Sequence, residues 1–446
     1  MGRVGRHHAV AGGAEVVPMN LLMIVIDTLR ADHLGCYGYR RNTSPYIDDF
    51  SADAIICDTH ISPAIPTHPA FTTLNTGQHS ITHGIVAHNG RNLIPRSSPW
   101  LPSILHKNGY TTCAVDNLSQ WQLDFHRGYE FYIDPTQRKT LSLNADNRRI
   151  NKRAIPWLEQ HHREKFCLFI HYWDPHTPYL PPRAYRKMFY DGDPHAPDNT
   201  TLDGFERHPL GRTWRETWFK QLGGAITDAA YIEALYDASI RYCDEGVGML
   251  LDTLDKLGRR RDTLVLLLAD HGEMMYRHGI FFDHHGLYEG NLHVPFIVRH
   301  PELPPRHISE MTSHTDVAPT ILDLLGIEIP EQMEGASVAP WLTGATDAQL
   351  RDYIVCQECT WQMKWAVRTL THKFILARQP DVYGTPMREL YDLVNDPHEH
   401  QNIADADRAL AQNLEFLLES WIKEYKAKGG LVEDPLVAHG LSLGKA

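Results

Sequence analysis

The sequence predicts an α/β fold: a large, mostly parallel sheet sandwiched by helices, followed by a small C-terminal antiparallel sheet. Continuous apolar runs at 21–26, 166–172 and 264–268 are typical of buried parallel strands. Helical patterns separate these runs, and such alternation is characteristic of a parallel sheet with helices on both faces. After Gly344, short strand-like runs separated by turn residues indicate a different, antiparallel arrangement.

The elements follow one another clearly along the chain. The best-defined helix is 228–257, because apolar residues from Tyr236 to Leu257 recur at steps of three and four. A short helix after Thr67 ends at Gly77, a natural stop. The other predicted helices are 44–54, 100–108, 144–163, 315–325 and 406–426, and the other predicted strands are 55–61, 111–115, 263–268, 294–298, 365–369, 373–377 and 389–393.

Composition excludes several classes of protein. The 446 residues include 43 Lys and Arg against 55 Asp and Glu, a net charge of −12 that argues against a nucleic-acid partner. No apolar run approaches the about 20 residues of a membrane span, so we expect no membrane partner. Seven scattered cysteines indicate reduced thiols and a cytoplasmic setting. The oligomeric state is open, and a homo-oligomer is compatible with the sequence.

Metal-binding residue types stand where predicted strands end. Asp27 follows the first strand, Asp270 and His271 follow the strand 263–268, and His176 lies just beyond the strand 166–172. Ligands of open α/β sheets bind outside the carboxyl ends of strands. Two carboxylates and an imidazole can share one metal there. Thr67, at a helix start, would by itself be interpreted as a helix cap, but beside these residues it could supply an oxygen to the same site.

Six segments carry a resemblance to a known family. They are 25–38, 66–77, 171–179, 269–273, 284–296 and 389–397. Their order and spacing over residues 20–425 resemble the sulfatase family of the alkaline phosphatase superfamily. The resemblance implies an alkaline phosphatase-like fold and a metal-dependent ester hydrolase. It also implies a catalytic domain at 19–345, with a C-terminal α+β subdomain and tail at 346–446. The region 178–225 is rich in Pro, Gly, Asp and His, and we expect it to be an insertion or lid. Because Met19 directly precedes the first strand, we expect residues 1–18 to be a disordered extension.

The resemblance assigns roles to individual positions. It implies that Thr67 is the nucleophile and that it shares a metal ion with the other ligands, which are Asp27, Asp270 and His271. Asn89 and Asn117 would contact the transferred group. His176 and His285 stand where family members place cationic or acidic groups near the leaving group.

The sequence departs from the family pattern at positions that limit which reaction mechanism and which metal are expected. Typical sulfatases convert a Cys or Ser into formylglycine within a motif that needs a following Arg, whereas this chain has Thr67 and Phe71, so we expect no formylglycine. Thr28 replaces the second Asp of the usual pair, and His271 replaces an Asn. One divalent metal is expected, with zinc, manganese or iron favoured over calcium, since calcium prefers oxygen ligands. The pattern looks closer to the phosphonate monoester hydrolase and phosphodiesterase branch.

The expected substrate is therefore a small anionic ester of phosphorus. A formylglycine hydrate releases sulfate by elimination, whereas a plain Thr ester must be hydrolysed by water, which is feasible by attack at phosphorus. We expect hydrolysis of a phosphodiester or phosphonate monoester through a covalent intermediate on Thr67. Three alternatives remain: a sulfate ester hydrolase using unmodified Thr, a phosphoryl-alcohol transferase, and a non-catalytic binding protein. The intact Asp27, Thr67, Asp270 and His271 argue against the last.

Overall fold

The computed structural model describes residues 19–88, 92–136 and 145–442. Within these ranges the strands are, in chain order, β1 Asn20–Ile26, β2 Ile55–Ile61, β3 Ala64–Ile65, β4 Thr111–Val115, β5 Phe131–Ile133, β6 Phe166–Tyr172, β7 Thr263–Leu268, β8 Met274–Arg277, β9 Ile280–Asp283, β10 His293–Val294, β11 Phe296–Arg299, β12 Arg306–Ser313, β13 Tyr353–Glu358, β14 Lys364–Thr369, β15 His372–Ala377 and β16 Arg388–Asp392.

The helices of the same ranges flank these strands. They are α1 Pro45–Ser51, α2 Thr67–Thr76, α3 Ser80–His83, α4 Leu101–Lys107, α5 Asn147–His161, α6 Gly211–Trp214, α7 Ala229–Lys256, α8 Glu289–Leu292, α9 His314–Leu324, α10 Ala339–Leu342, α11 Arg408–Gly429 and α12 Pro435–His439. A π-helical segment, Arg215–Phe219, continues α6. In the described part of the chain, no helix is both long and apolar enough to cross a membrane.

The large sheet has the strand order β10-β2-β11-β7-β1-β6-β4-β5, and β12 pairs with β2. The central strand β1 runs parallel to both of its neighbours, β6 and β7. Strands β10 and β11 run antiparallel to their neighbours, and the remaining pairs are parallel. The predicted α/β fold with a mostly parallel sheet is therefore confirmed.

The three central strands β1, β6 and β7 determine where the candidate site lies. Every residue of β1, β6 and β7 is buried, as expected for apolar runs covered by helices on both faces. Because these strands are parallel neighbours, their carboxyl ends lie at one edge of the sheet. Asp27 directly follows β1, and Asp270 lies two residues after the end of β7, so both stand at this edge. The register pairs Val25 with both His171 and Leu268.

The second sheet has the order β16-β15-β14-β13-β3. Strands β13 to β16 are antiparallel, which confirms the predicted small C-terminal sheet. One partner was not predicted: β3, which only Pro66 separates from Thr67, runs parallel to β13 and pairs Ile65 with Glu358. The chain leading into α2 is therefore part of this second sheet.

Helix α7 matches its prediction closely but is buried more widely than one apolar face. Asp228 caps it by accepting a hydrogen bond from the Ala230 N–H. The buried Asp244 carboxylate accepts hydrogen bonds from the backbone of Tyr46 and Ile47, which fixes the start of α1. Polar side chains on this helix thus hold neighbouring segments in place.

Other elements differ from prediction for identifiable reasons. The predicted strand 294–298 is interrupted at Pro295, which lacks an N–H, and forms β10 and β11. The β8–β9 hairpin and β12 were not predicted. Region 178–225 buries Phe205, Trp218 and Phe219. That it acts as a lid stays a prediction.

Candidate active site

Thr67 is the first residue of α2 rather than its cap. Pro66 precedes the helix, and no side chain caps it, so the capping interpretation of this stretch is wrong. The Thr67 side chain is buried, and its Oγ1 lies 3.1 Å from Nε2 of His271. The hydroxyl therefore stands at the positive end of a ten-residue helix, beside the other predicted ligands.

The predicted ligands Asp27, Asp270 and His271 converge at the sheet edge. One donor atom from each lies within 4.8 Å of the others, and all three residues are fully buried. Backbone N–H groups orient the Asp270 carboxylate, because Oδ1 accepts from Thr28 at 3.2 Å and from His271 at 2.9 Å. The chain turns sharply after β1, since Thr28, whose N–H donates to Asp270, adopts a φ of 56°.

The partners of His271 indicate its tautomer. Nδ1 lies 3.0 Å from the Gly272 carbonyl oxygen, which can only accept, so Nδ1 carries the proton. Nε2 then presents a lone pair to Thr67 Oγ1 and lies 3.2 Å from Oδ2 of Asp270. A carboxylate oxygen and an imidazole lone pair that face each other repel unless a cation lies near both.

Two buried carboxylate oxygens without hydrogen bonds also indicate that a cation binds here. Oδ1 of Asp27 and Oδ2 of Asp270 make no hydrogen bond to any described residue. Buried carboxylate oxygens are normally paired or coordinate a metal, because leaving them unpaired is costly. With the hydroxyl of Thr67 and Nε2 of His271, they form a mixed oxygen and nitrogen donor set. This set fits a divalent cation.

A buried histidine that was not predicted as a site residue orients Asp27. Nε2 of His171 lies 3.1 Å from Oδ2 of Asp27, and Nδ1 lies 2.8 Å from Oδ1 of Asp116. Tyr132 donates a short hydrogen bond to the other Asp116 oxygen. The motif 171–179 contained His171, but its place inside an apolar strand made it look like part of the core.

These contacts shift the pKa values of the site. Burial favours neutral Asp27, but nearby His176, His171 and His271 outweigh it and lower its pKa. Burial, and then the charge of Asp27, raise the pKa of Asp270 to about 6. Burial opposes a charge on His171, yet its two carboxylate partners raise its pKa to about 9.

The predicted histidines differ in their surroundings. His176 is partly exposed, and its Nδ1 lies 2.6 Å from the Thr177 carbonyl oxygen, which leaves Nε2 available. His285 lies between two carboxylates, with Nδ1 3.1 Å from Glu358. His284, which was not predicted, is nearer the ligands, since its ring stacks on His271 with centroids 4.7 Å apart. The family resemblance points to His285, and no local feature of the sequence points to His284.

The two predicted substrate-contact residues, Asn117 and Asn89, are not tested by the structure. Asn117 is fully buried beside Asp116, and its contact with a substrate stays a prediction. Asn89 lies outside the described residues. Phe71, in the Arg place of the family motif, packs its ring 4.7 Å from His171 and contacts Phe169 in the core.

Two family models match this chain. The family model described as Sulfatase matches residues 19–327. A second model, described as N-sulphoglucosamine sulphohydrolase, C-terminal, matches residues 277–427. The two matches overlap across β9 and the segment that contains His284 and His285.

Individual relatives carry several names. A choline-sulfatase of Rhizobium meliloti is 29% identical over 253 residues, which cover 55% of this chain and 48% of that protein. An N-acetylglucosamine-6-O-sulfatase of Bacteroides thetaiotaomicron is 24% identical, covering 91% of this chain and 87% of that protein. The solved phosphonate monoester hydrolase of Agrobacterium radiobacter superimposes with a TM-score of 0.72 at 20% identity, covering 91% and 96% of the two chains. At that identity the likeness shows a common alkaline phosphatase-like fold.

Proposed function

Because this chain belongs to the sulfatase family, a family of ester hydrolases, we propose that it hydrolyses phosphodiesters or phosphonate monoesters through a covalent ester on Thr67. One observation carries the proposal: an unmodified Thr hydroxyl lies at a helix N-terminus, 3.1 Å from the unprotonated Nε2 of His271, among two buried carboxylates. This is the arrangement that a nucleophile needs when it attacks an anionic tetrahedral centre.

Asp27, Asp270, His271 and Thr67 would hold one divalent cation. The imidazole in this set favours zinc, manganese or iron over calcium. When bound, such a cation lowers the pKa of a coordinated hydroxyl and neutralises charge on the oxygens of the transferred group. His171 keeps Asp27 oriented by binding one of its oxygens and leaving the other available.

The chain's own residues account for the remaining steps. Thr67, whose hydroxyl proton passes to solvent, attacks phosphorus, so a bond from Oγ1 to phosphorus forms and the bond to the leaving alcohol breaks. His176 gives a proton from Nε2 to the leaving oxygen, while its Nδ1–H stays on the Thr177 carbonyl. Water then attacks phosphorus and gives a proton to Nε2 of His176, while the bond between Oγ1 and phosphorus breaks and frees Thr67 for the next turnover. The N–H groups at the start of α2 favour the negative charge of the transferred group.

The charges of the site favour a monoanionic group. In the described ranges, the carboxylates of Asp27 and Asp270 pair only with histidines and with no Lys or Arg. One divalent cation would offset these two charges, and little positive charge would remain for a dianion. Phosphodiesters, phosphonate monoesters and sulfate esters carry a single negative charge, whereas phosphate monoesters carry two.

Aromatic rings beside His176 support an apolar or flat leaving group. The Trp173 ring lies 5.6 Å from that of His176, and the Trp121 ring lies 5.9 Å from Trp173. Trp121 is 36% exposed, so these rings extend from the buried site to the surface. Such rings bind a substrate through large apolar faces.

The proposal is tested with one leaving group on three esters. A 4-nitrophenyl phosphodiester, phosphonate monoester and sulfate ester are assayed in parallel on the metal-loaded protein. We expect the phosphorus esters to have the higher kcat/KM. Acid quenching during turnover, followed by mass spectrometry, should find the phosphorus group on the peptide that contains Thr67. Sulfate turnover far above that of both phosphorus esters would refute the preference.

Variants on α2 separate a nucleophile from a structural residue. Thr67→Ala should lower kcat by about 10³-fold or more, as expected when a nucleophile is removed. Thr67→Ser keeps the hydroxyl and should retain measurable turnover. Thr72→Ala is the matched control, because the Thr72 hydroxyl donates to the His68 carbonyl on the same helix. Unchanged turnover in Thr67→Ala would exclude the covalent route.

A second candidate function is sulfate ester hydrolysis with the same unmodified Thr67. The observation that favours it is the naming of relatives, since the choline-sulfatase and the N-acetylglucosamine-6-O-sulfatase are both sulfatases by name. A sulfated Thr67 peptide after acid quenching, with little turnover of phosphorus esters, would support this function instead.

A further inference from the structure

The end of the β8–β9 hairpin places a second set of metal-binding side chains beside the first. Asp283, His284 and His285 are consecutive, and one donor atom from each lies within 4.8 Å of the others. All three are buried, at 3%, 8% and 5% exposure. The proposed reaction uses none of their side chains, since His176 serves as its proton donor.

The spacing of the donors is that of ligands around one small cation. Nδ1 of His284 lies 3.7 Å from Oδ1 of Asp283, and Nε2 of His285 lies 3.8 Å from the same oxygen. Oε1 of Glu273 lies 3.7 Å from Nδ1 of His284 and adds a second carboxylate. Tetrahedral bonds of about 2.0–2.2 Å would separate neighbouring donors by about 3.3–3.6 Å, so small adjustments suffice.

Neighbouring residues hold these donors in the orientation that a metal needs. Oε1 of Glu358 lies 3.1 Å from Nδ1 of His285, so Nδ1 carries the proton and Nε2 presents its lone pair to Asp283. Nε2 of His208 lies 3.0 Å from the other Asp283 oxygen, Oδ2. Carboxylate–histidine pairs of this kind orient ligands around metal ions in proteins.

Unpaired groups indicate that the set is incomplete without a cation. Oε1 of Glu273 and Nδ1 of His284 are buried and make no hydrogen bond to any described residue. Over the described ranges, the carboxylates of Glu273, Asp283 and Glu358 have only histidines as ion-pair partners. Buried carboxylates without Lys or Arg are expected to be paired with another cation.

We propose that Glu273, Asp283, His284 and His285 bind a second divalent cation, zinc or a similar transition metal, next to the site of Asp27, Asp270 and His271. The two sites adjoin, because the His284 and His271 rings stack with centroids 4.7 Å apart. A mixed set of imidazole and carboxylate donors suits zinc or manganese. This second site does not depend on Thr67 being the nucleophile.

Metal content per chain tests the proposal. The protein is stripped with a chelator, reloaded with Zn²⁺ alone, desalted and measured by elemental mass spectrometry. We expect two equivalents in the native chain and one in Asp283→Asn, in His285→Asn and in Asp27→Asn. The double variant Asp27→Asn with His285→Asn should hold none. The melting temperature of every variant is measured to check that it folds. If Asp283→Asn does not fold, the metal content of His285→Asn alone tests the second site.

The matched control is His278→Asn, which removes an imidazole from the turn of the same hairpin. His278 stacks on Tyr288 rather than joining the cluster, and Asn tolerates its φ of 55°. This variant should keep two equivalents. One equivalent in the native chain and in His285→Asn, with none in Asp27→Asn, would overturn the second site and leave the proposed reaction standing. One equivalent that is lost only in His285→Asn would support the second site and refute the first.

Discussion

His171 binds only one of the two oxygens of Asp27: Nε2 lies 3.1 Å from Oδ2, while Oδ1 makes no hydrogen bond to any described residue. Asp116 holds the other ring nitrogen of His171, and Tyr132 and the Leu118 N–H hold Asp116. The unpaired oxygen of Asp27 is thus positioned by contacts that run from Tyr132 and Leu118 through Asp116 and His171 to Asp27.

His171→Gln should weaken metal binding, because Gln cannot contact both carboxylates as the ring does. We expect the affinity of the Asp27 site to fall by about 10–100-fold, the usual effect of removing such a partner. Competition with a chromogenic chelator measures it. His83→Gln is the control, since His83 is equally buried but contacts Thr73 instead. An unchanged affinity in a folded His171→Gln protein would show that His171 does not position Asp27.

His176→Gln should slow turnover in a way that depends on the leaving group. An alkyl alcohol needs a proton as it leaves, so we expect a loss of about 10²-fold or more for an alkyl ester. A 4-nitrophenyl ester, whose leaving group is stable as an anion, should lose much less. The ratio of kcat/KM values for the two esters is the measurement. His126→Gln, on the surface, should leave the ratio unchanged, and equal losses for both esters would refute the donor role.

Substrate charge should affect turnover strongly. We expect a methyl 4-nitrophenyl phosphodiester to exceed 4-nitrophenyl phosphate by about tenfold or more in kcat/KM at pH 8, because a second negative charge near partly compensated carboxylates costs on the order of 1–4 kcal/mol. Steady-state kinetics on both esters measure this directly. A preference for the monoester would contradict the charge argument.

Asp174 should make stability depend on pH. Its Oδ2 is buried without a hydrogen bond, and burial raises its pKa from 3.8 to about 7, although Asn147 donates to Oδ1. Between these values the folded state holds a proton that the unfolded state has lost, so stability falls as pH rises through this window. The fall is at most about 1.4 kcal/mol per pH unit.

Asp174→Asn removes this titration and keeps the acceptor for Asn147. Relative to the native chain, its free energy of unfolding should therefore increase between pH 4.5 and pH 7, by denaturant titration at each pH. Asp405→Asn, at an exposed position, serves as the control. A constant difference between Asp174→Asn and the native chain across this range would show that Asp174 is already charged at low pH.

Much of the fold was predictable because its central strands are apolar on both faces. β1, β6 and β7 are mostly hydrophobic runs of six or seven residues between helices, which favours buried parallel strands. β12 has few apolar residues and is held by its pairing with β2, which the local sequence does not reveal. The β8–β9 hairpin turns at His278 and Gly279, a pair that gives a weak turn signal.

The convergence of the candidate ligands was predictable where residues follow strand ends. Asp27, Asp270 and His271 were found by this rule, and Thr67 by its place at a helix start. His171 was not found, because its position is inside β6 and its role depends on Asp116 from a neighbouring strand end. Glu358 comes from the second sheet, 73 residues after His285. Contacts between residues so far apart along the chain do not follow from local patterns.

Because β3 pairs with β13, the C-terminal sheet cannot be replaced by that of a relative without also replacing the segment that contains β3. Ala64 and Ile65, which lead into Thr67, pair with Gln357 and Glu358 of that sheet. A chimaera joined near residue 345 would replace the strand that supports the start of α2, and would replace Glu358 as well. Recombination of this chain with relatives should therefore succeed only when β3 and β13 come from the same parent.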